Sequence, residues 1–263
     1  MTQQLSHRAA QELAVDPRIR QRRVAVQREE GRRRLWFLVG AAVVAIAVAS
    51  VVGATQSPLL DVDRVEVRGA SRTPHADLVA ASGLGGQPRM VEVDTAQVAR
   101  GVEALPWVDH ARARRAWPGA VVIEIGERRP VAVARAGSGW AVVDGTGRVL
   151  EVTTHRPANL PAIAGAHAPG APGTALSSAA AQLVRVAGAL PPGLHERVSE
   201  IQATADEEFL LRLAPPGGEV RLGGLEALEA KITSALTVLQ KADVTRLRTL
   251  DVRAPATPVL TRR

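Results

Sequence analysis

Residues 35–52 read LWFLVGAAVVAIAVASVV, and this run divides the chain into a tail, a span and a body of about 200 residues. It holds no charge and no proline, Ser50 is its one hydrophilic member, and ten of its eighteen residues are Leu, Ile, Val or Phe. As a helix it rises about 27 Å, or about 31 Å when continued to Thr55, which matches a hydrocarbon core of roughly 30 Å. Its large apolar residues each favour insertion by about 0.3–0.6 kcal/mol. Before it, residues 1–34 carry nine arginines and four acids, with Arg32, Arg33 and Arg34 abutting the run; the next charges after it are Asp61, Asp63 and Arg64. The positive-inside rule places the N-terminus in the cytoplasm and the body outside. A cleaved signal peptide could use Ala47-Val48-Ala49, but its charged and apolar regions would both be too long. A helix buried in a soluble protein would show a polar face. The run therefore predicts a single-pass anchor over 35–55.

Composition narrows the chemistry of the body. There is no cysteine, which excludes thiol catalysis, disulfide frameworks and cysteine-ligated metals. The net charge of +7 resides mostly in the tail: nine bases less four acids leave +5 there, and 24 bases against 22 acids leave +2 for the remainder. A nearly neutral body has no nucleic-acid footprint, and the tail arginines suit anionic lipid. Tyrosine is absent and phenylalanine occurs only as Phe37 and Phe209, so the core must be built from Val, Leu, Ile, Ala and tryptophan.

Along the chain, residues 1–34 predict a disordered basic tail with some helix near the membrane, and Ser57-Pro58 ends the span helix. Val62, Val65 and Val67 form an extended run closed by Gly69. Thr73-Pro74 predicts a helix start, with a cap and then proline at the first position, and that helix runs to Gly83. Asp94 with Gln97 forms a variant capping box that opens a second helix, stopped by Pro106. Residues 110–117 and the alternating Val121, Ile123 and Ile125 predict two strands joined at Pro118-Gly119. This is a β-α-α-β-β module over 60–129. Pro130 marks a junction.

Beyond it, residues 131–135, 140–143 and 148–152 predict strands, and 155–173 a loop. A helix is predicted over 176–190, strands over 198–203, 209–213 and 219–222, an amphipathic helix over 225–240 and a last strand over 247–253. That is a β domain over 130–253, followed by a tail over 254–263. The expected class is α+β: one transmembrane helix, the first module, and a mixed, mainly antiparallel β domain with flanking helices.

No catalytic constellation is present. The six histidines show no metal-binding spacing and no neighbouring carboxylate cluster, and no serine sits in a nucleophile-elbow motif. Asp144-Gly145-Thr146-Gly147 lies between alternating runs and predicts a hairpin turn rather than a phosphate loop. The sequence therefore predicts no enzyme, no catalytic residue, no cofactor, no metal and no small-molecule substrate.

Five segments, in this order and spacing directly after an anchor, resemble the bacterial divisome family FtsQ/DivIB. They are Val65-Glu66-Val67-Arg68-Gly69; Leu105-Pro106-Trp107-Val108; Arg115-Ala116-Trp117-Pro118; Glu127-Arg128-Arg129-Pro130-Val131-Ala132; and Val142-Val143-Asp144-Gly145-Thr146-Gly147-Arg148-Val149. Val220-Arg221-Leu222-Gly223, Lys231 and Leu250-Asp251-Val252-Arg253 extend the likeness more loosely. The resemblance implies a polypeptide-transport-associated (POTRA) domain followed by a β domain, in a membrane protein enriched at the division septum. It implies a non-enzymatic scaffold that binds FtsB- and FtsL-like membrane proteins and helps control septal peptidoglycan synthesis. A POTRA-type module handling polypeptides in secretion or envelope assembly is the alternative.

The resemblance places the partner site on the C-terminal sheet edge, at Thr249, Leu250, Asp251, Val252, Arg253 and Ala254, continuing to Val259 and Leu260, where a partner segment would add as a strand. Pro255 and Pro258 would cap that edge. The family's aromatics are missing there. Asp206-Glu207-Glu208 stand where some relatives carry arginine, which implies reversed or lost charge pairing with the partner. Read as residues alone, Trp107 fills the space between helices and sheet of the first module and Trp117 caps a strand end. Arg115 and Arg128 pair with Glu124 or Glu127 or stand solvated.

Overall fold

The computed structural model describes residues 17–55, 61–168 and 170–262, which belong to two units, Met1–Asp61 and Val62–Arg263. In the first unit a single helix, α1, spans Pro17–Thr55. Its segment Arg34–Gly53 is long and apolar enough to cross a bilayer. The helix starts well before the apolar run, so the helix expected near the membrane extends back through residues 17–34. Arg, Gln, Ala and Glu in that stretch are good helix formers, and a helix already nucleated by the span extends at one bond per residue. Residues 1–16 of the expected tail, and Ser57-Pro58, lie outside the described residues.

The second unit opens with the expected β-α-α-β-β module: β1 (Arg64–Arg68), α2 (His75–Ser82), α3 (Thr95–Glu103), β2 (Val108–Ala116) and β3 (Ala120–Glu127). The strands form a sheet in the order β1-β3-β2, with β1 parallel and β2 antiparallel to β3. Val121, Ile123 and Ile125 turn inward from β3 and meet Leu78 of α2 and Val98 and Val102 of α3, as period-2 and i,i+4 spacing require. Asp94 caps α3 by accepting from Ala96 N (2.9 Å) and Gln97 N (3.2 Å). Thr73 does not cap α2, whose N-cap residue is Pro74; Thr73 instead donates its N–H and its hydroxyl to Glu127. Gly69 has φ +88° and a Cβ there would collide with the Ile125 carbonyl, so glycine is required on both counts.

The β domain is one nine-stranded sheet. Its strands are β4 (Pro130–Ala136), β5 (Gly139–Asp144), β6 (Val149–Thr153), β7 (Ala162–His167), β8 (Val198–Ala203), β9 (Phe209–Leu213), β10 (Glu219–Gly223), β11 (Leu247–Asp251) and β12 (Val259–Arg262). They lie in the order β12-β11-β10-β9-β8-β7-β4-β5-β6. The pairs β4/β7, β7/β8 and β10/β11 are parallel and the rest antiparallel. Helices α4 (Ser178–Ala189), α5 (Pro192–His195) and α6 (Leu228–Lys241) complete it. Leu183, Val184 and Val186 of α4 and Ile232, Ala235 and Leu239 of α6 join the sheet residues of the main core.

Two strands correct the sequence reading. β7 lies inside the expected loop 155–173. Its Ala, Ile and Gly give no alternation, and it is a strand because β4 and β8 flank it on both sides. β12 lies inside the expected tail and pairs antiparallel with β11, Leu250 opposite Leu260 and Asp251 opposite Val259.

Candidate protein-interaction site

Trp107, Arg128, Pro130, Asp144 and Arg148 of the motif segments meet at the joint between the two folded modules. Trp107, 9% exposed, packs with Val133, Val142, Leu150, Leu160 and Ala162 of the β domain, so it seals that joint instead of filling the first module. The Arg72 guanidinium lies 4.8 Å from its ring centre. Arg128, immediately after β3, donates from Nη1 to Asp144 (2.9 Å) and from Nε to the Val108 carbonyl (3.0 Å), and Nη1 lies 3.2 Å from Asp109. Its partners are therefore Asp109 and Asp144, not Glu124 or Glu127.

Asp144 is buried, and its Oδ1 accepts from Thr146 N, Thr146 Oγ1 and Arg148 N. Burial pushes its pKa up, but the bonds from Thr146, Arg148 and Arg128 outweigh that and hold it below the usual value. The Asp-Gly-Thr-Gly stretch is thus a hairpin turn whose carboxylate anchors the first module. Gly147 has φ +85° and donates to the Asp144 carbonyl at 3.0 Å. Pro130 starts β4 opposite Asp144. Arg148, next in the motif, donates to the Ala104 carbonyl at 3.0 Å, just before Leu105-Pro106-Trp107.

Arg115 donates to the Val93 carbonyl at 2.7 Å; Arg114, not Arg115, is the residue near Glu124, at 3.8 Å. Trp117 and Pro118 form an exposed turn, with Trp117 54% exposed, so Trp117 caps no core. The motif segments around Trp107, Arg128 and Asp144 fasten the two modules, which sequence spacing alone did not reveal.

The residues expected to bind a partner sit elsewhere. Thr249, Leu250 and Asp251 lie in β11, with β10 on one side and β12 on the other, so this strand is not the edge. Leu250 and Val252 are fully buried. Arg253 is exposed but committed: Nε and Nη2 reach Asp251 at 2.7–3.1 Å, and Nη1 reaches Glu208 at 3.2 Å. Hydrogen bonds from Arg253 hold the Asp251 carboxyl below its usual range. The acid at 208 is therefore balanced within the chain. Pro255 and Pro258 belong to the β11–β12 connection, together with exposed Ala254, whose carbonyl accepts from Thr257 N.

The sheet ends at β12. Val259 is 63% exposed, Thr261 and Arg262 are exposed, and Leu260 packs toward the core. Sequence reasoning named Val259 and Leu260 and missed Thr261 and Arg262. The signal was the β-branched pair Val259 and Thr261 just beyond a proline, in a run too short to assign.

Comparison with known proteins agrees over both modules. The FtsQ-type POTRA domain family matches residues 60–128, and the C-terminal domain family of cell division protein FtsQ/DivIB matches residues 132–253. The chain is 26% identical over 205 residues to cell division protein FtsQ of Corynebacterium glutamicum, covering 78% of this chain and 90% of that one. It is 29% identical over 242 residues to FtsQ of Streptomyces collinus, with 88% and 90% covered. It is 30% identical over 231 residues to FtsQ of Anaeromyxobacter, with 81% and 77% covered. With matches that span both folded modules, the chain belongs to the FtsQ/DivIB family of bacterial cell division proteins.

Proposed function

We propose that this chain is a non-enzymatic scaffold of the division septum. α1 holds it in the cell membrane with the N-terminus cytoplasmic and the body outside. The C-terminal end of its large sheet binds FtsB- and FtsL-like membrane proteins and so helps control septal peptidoglycan synthesis. The observation that supports this most is the place of β12 as a terminal strand of the sheet, with no strand on its outer side among the described residues. An unpaired strand side offers a row of backbone donors and acceptors to an added strand, and exposed Val259 supplies an apolar contact beside it. Thr249, Leu250, Asp251 and Val252 then act at one remove, by fixing the position of β12. The arginine asymmetry across the apolar run supports the topology.

The test is a proline scan of Val259, Leu260, Thr261 and Arg262 beside an alanine scan. Along an antiparallel strand successive N–H groups point alternately to its two neighbours. Prolines that delete donors to β11 should weaken the fold. Those that delete outward donors should leave the melt intact and abolish co-purification with the FtsB-like protein, while alanine at the same positions preserves it. If every proline variant that still melts cooperatively retains the partner, the β12 edge is not the site.

A further inference from the structure

Among the described residues of the second unit, Val91, Trp117, Val152 and Val259 are large apolar side chains that stand exposed. Val259 belongs to the β12 edge and Val152 to β6. Val91 and Trp117 share one end of the first module, where three segments are tied together. Val62 N donates to the Pro88 carbonyl at 3.0 Å, Asp63 N and Arg64 N donate to the Gly119 carbonyl at 2.8 and 3.1 Å, and Arg115 donates to the Val93 carbonyl at 2.7 Å. These bonds place the 88–93 segment and the Trp117-Pro118-Gly119 turn beside the point where the chain enters the module. Exposed Arg64, Arg89 and Arg115 lie on the same three segments, Arg64 paired with Glu66 at 3.4 Å and Arg89 with Glu92 at 3.5 Å. Asp63 and Glu92 are also present, so the surface is amphipathic rather than strongly basic.

We infer that this end of the first module is a bilayer-contacting tip: Trp117 and Val91 enter the lipid interface while the arginines meet the headgroups. The covalent chain supports a lipid occupant over any other. Gly53 ends the apolar span and Val62 is the first core residue of the module. The nine steps between them reach about 32 Å at most when fully extended, less than the thickness of one bilayer with its headgroups, about 40–45 Å. The tether therefore keeps the point where the chain enters the module within about 32 Å of the end of the span. Tryptophan favours that depth because its ring is apolar and its N–H polar, and arginine carries its charge outward on an apolar stem. A turn exposing Trp-Pro to water alone would have no such compensation. The inference rests on α1 spanning the bilayer.

The absence of cysteine from the chain provides a clean probe. The full chain would be reconstituted in nanodiscs of phosphatidylethanolamine and phosphatidylglycerol, with a nitroxide on a single cysteine at Val91→Cys or, as a remote reference, Thr257→Cys. The label at 91 is expected to show a several-fold loss of collisions with a water-soluble relaxation agent and a gain with oxygen, relative to the label at 257. Adding Trp117→Ser to Val91→Cys should restore most of the water-side collisions. To guard against misfolding of that turn, Arg115→Glu with the label at 91 serves as a second variant, and both are checked for a cooperative melt.

Equal accessibility at 91 and 257 in an inserted chain would overturn the inference and leave this end for a protein contact. Protection at 91 that neither folded variant relieves would overturn it too. A chain that fails to insert into the discs would refute the spanning role of α1 itself, a separate result.

Discussion

Glu127 shows how one side chain can organise several. At the end of β3 its carboxylate accepts from Ser71 N (3.0 Å), Arg72 N (2.9 Å), Thr73 N (3.0 Å), Ser71 Oγ (2.5 Å) and Thr73 Oγ1 (3.3 Å). Burial raises its pKa, but these bonds, led by the Ser71 hydroxyl, pull it from 4.5 down to about 2. A depressed folded-state value means the carboxylate contributes stability that is fully present above about pH 4.5 and is lost as the pH falls through about 2. Glu127→Gln should therefore lower the melting temperature at neutral pH and show a shallower decline than wild type between pH 4.5 and 2. Parallel declines in the two proteins would remove this role from Glu127. The sequence marked Glu127 as a motif residue without revealing its partners, since the loop it holds lies more than fifty positions earlier.

At the scale of one element, α6 carries a buried lysine. Lys231 is 1% exposed; its Nζ donates to the Gly224 carbonyl at 3.0 Å and to Glu226 at 2.7 Å. Glu226 is solvent-exposed, and the hydrogen bond from Lys231 lowers its pKa. The two halves of this pair are unequal. Removing the lysine leaves a carboxylate that water can solvate, whereas removing the carboxylate leaves a buried ammonium with one carbonyl partner. Lys231→Met, nearly conserving volume, should cost less than about 1.5 kcal/mol, and Glu226→Ala should be the more damaging change. Urea melts of the two variants check the order, and the reverse order would contradict the burial argument. The amphipathic stripe of α6 was readable from leucine spacing; the pairing was not, because the loop that meets Lys231 is positioned by β10.

For the whole molecule, the joint between modules couples their stability. Trp107, Arg128 and Asp144 each come from one module and satisfy groups of the other. Trp107→Ala removes a large buried ring at the cost of roughly 3–5 kcal/mol and should do so where the modules meet. Urea unfolding of the detergent-solubilised chain should then separate into two transitions, with β-domain fluorescence from Trp140 lagging the far-UV signal. A single transition, merely shifted, would show that the modules unfold together without this contact.

The sequence by itself determined what depends on neighbours along the chain. The apolar run, the Asp94 cap, the alternation in β3, the hairpin turns and the stripe of α6 follow from local periodicity and local hydrogen bonding, and motif order identifies the family. Tertiary structure alone decided which strand ends the large sheet, that Ala162–His167 is a strand, which core receives Trp107, and that Trp117 faces out. Each of these depends on partners distant in sequence. A β-strand has no internal hydrogen bonds, so a short run such as Val259–Arg262 becomes a strand, and an edge, only when β11 is there to pair with it.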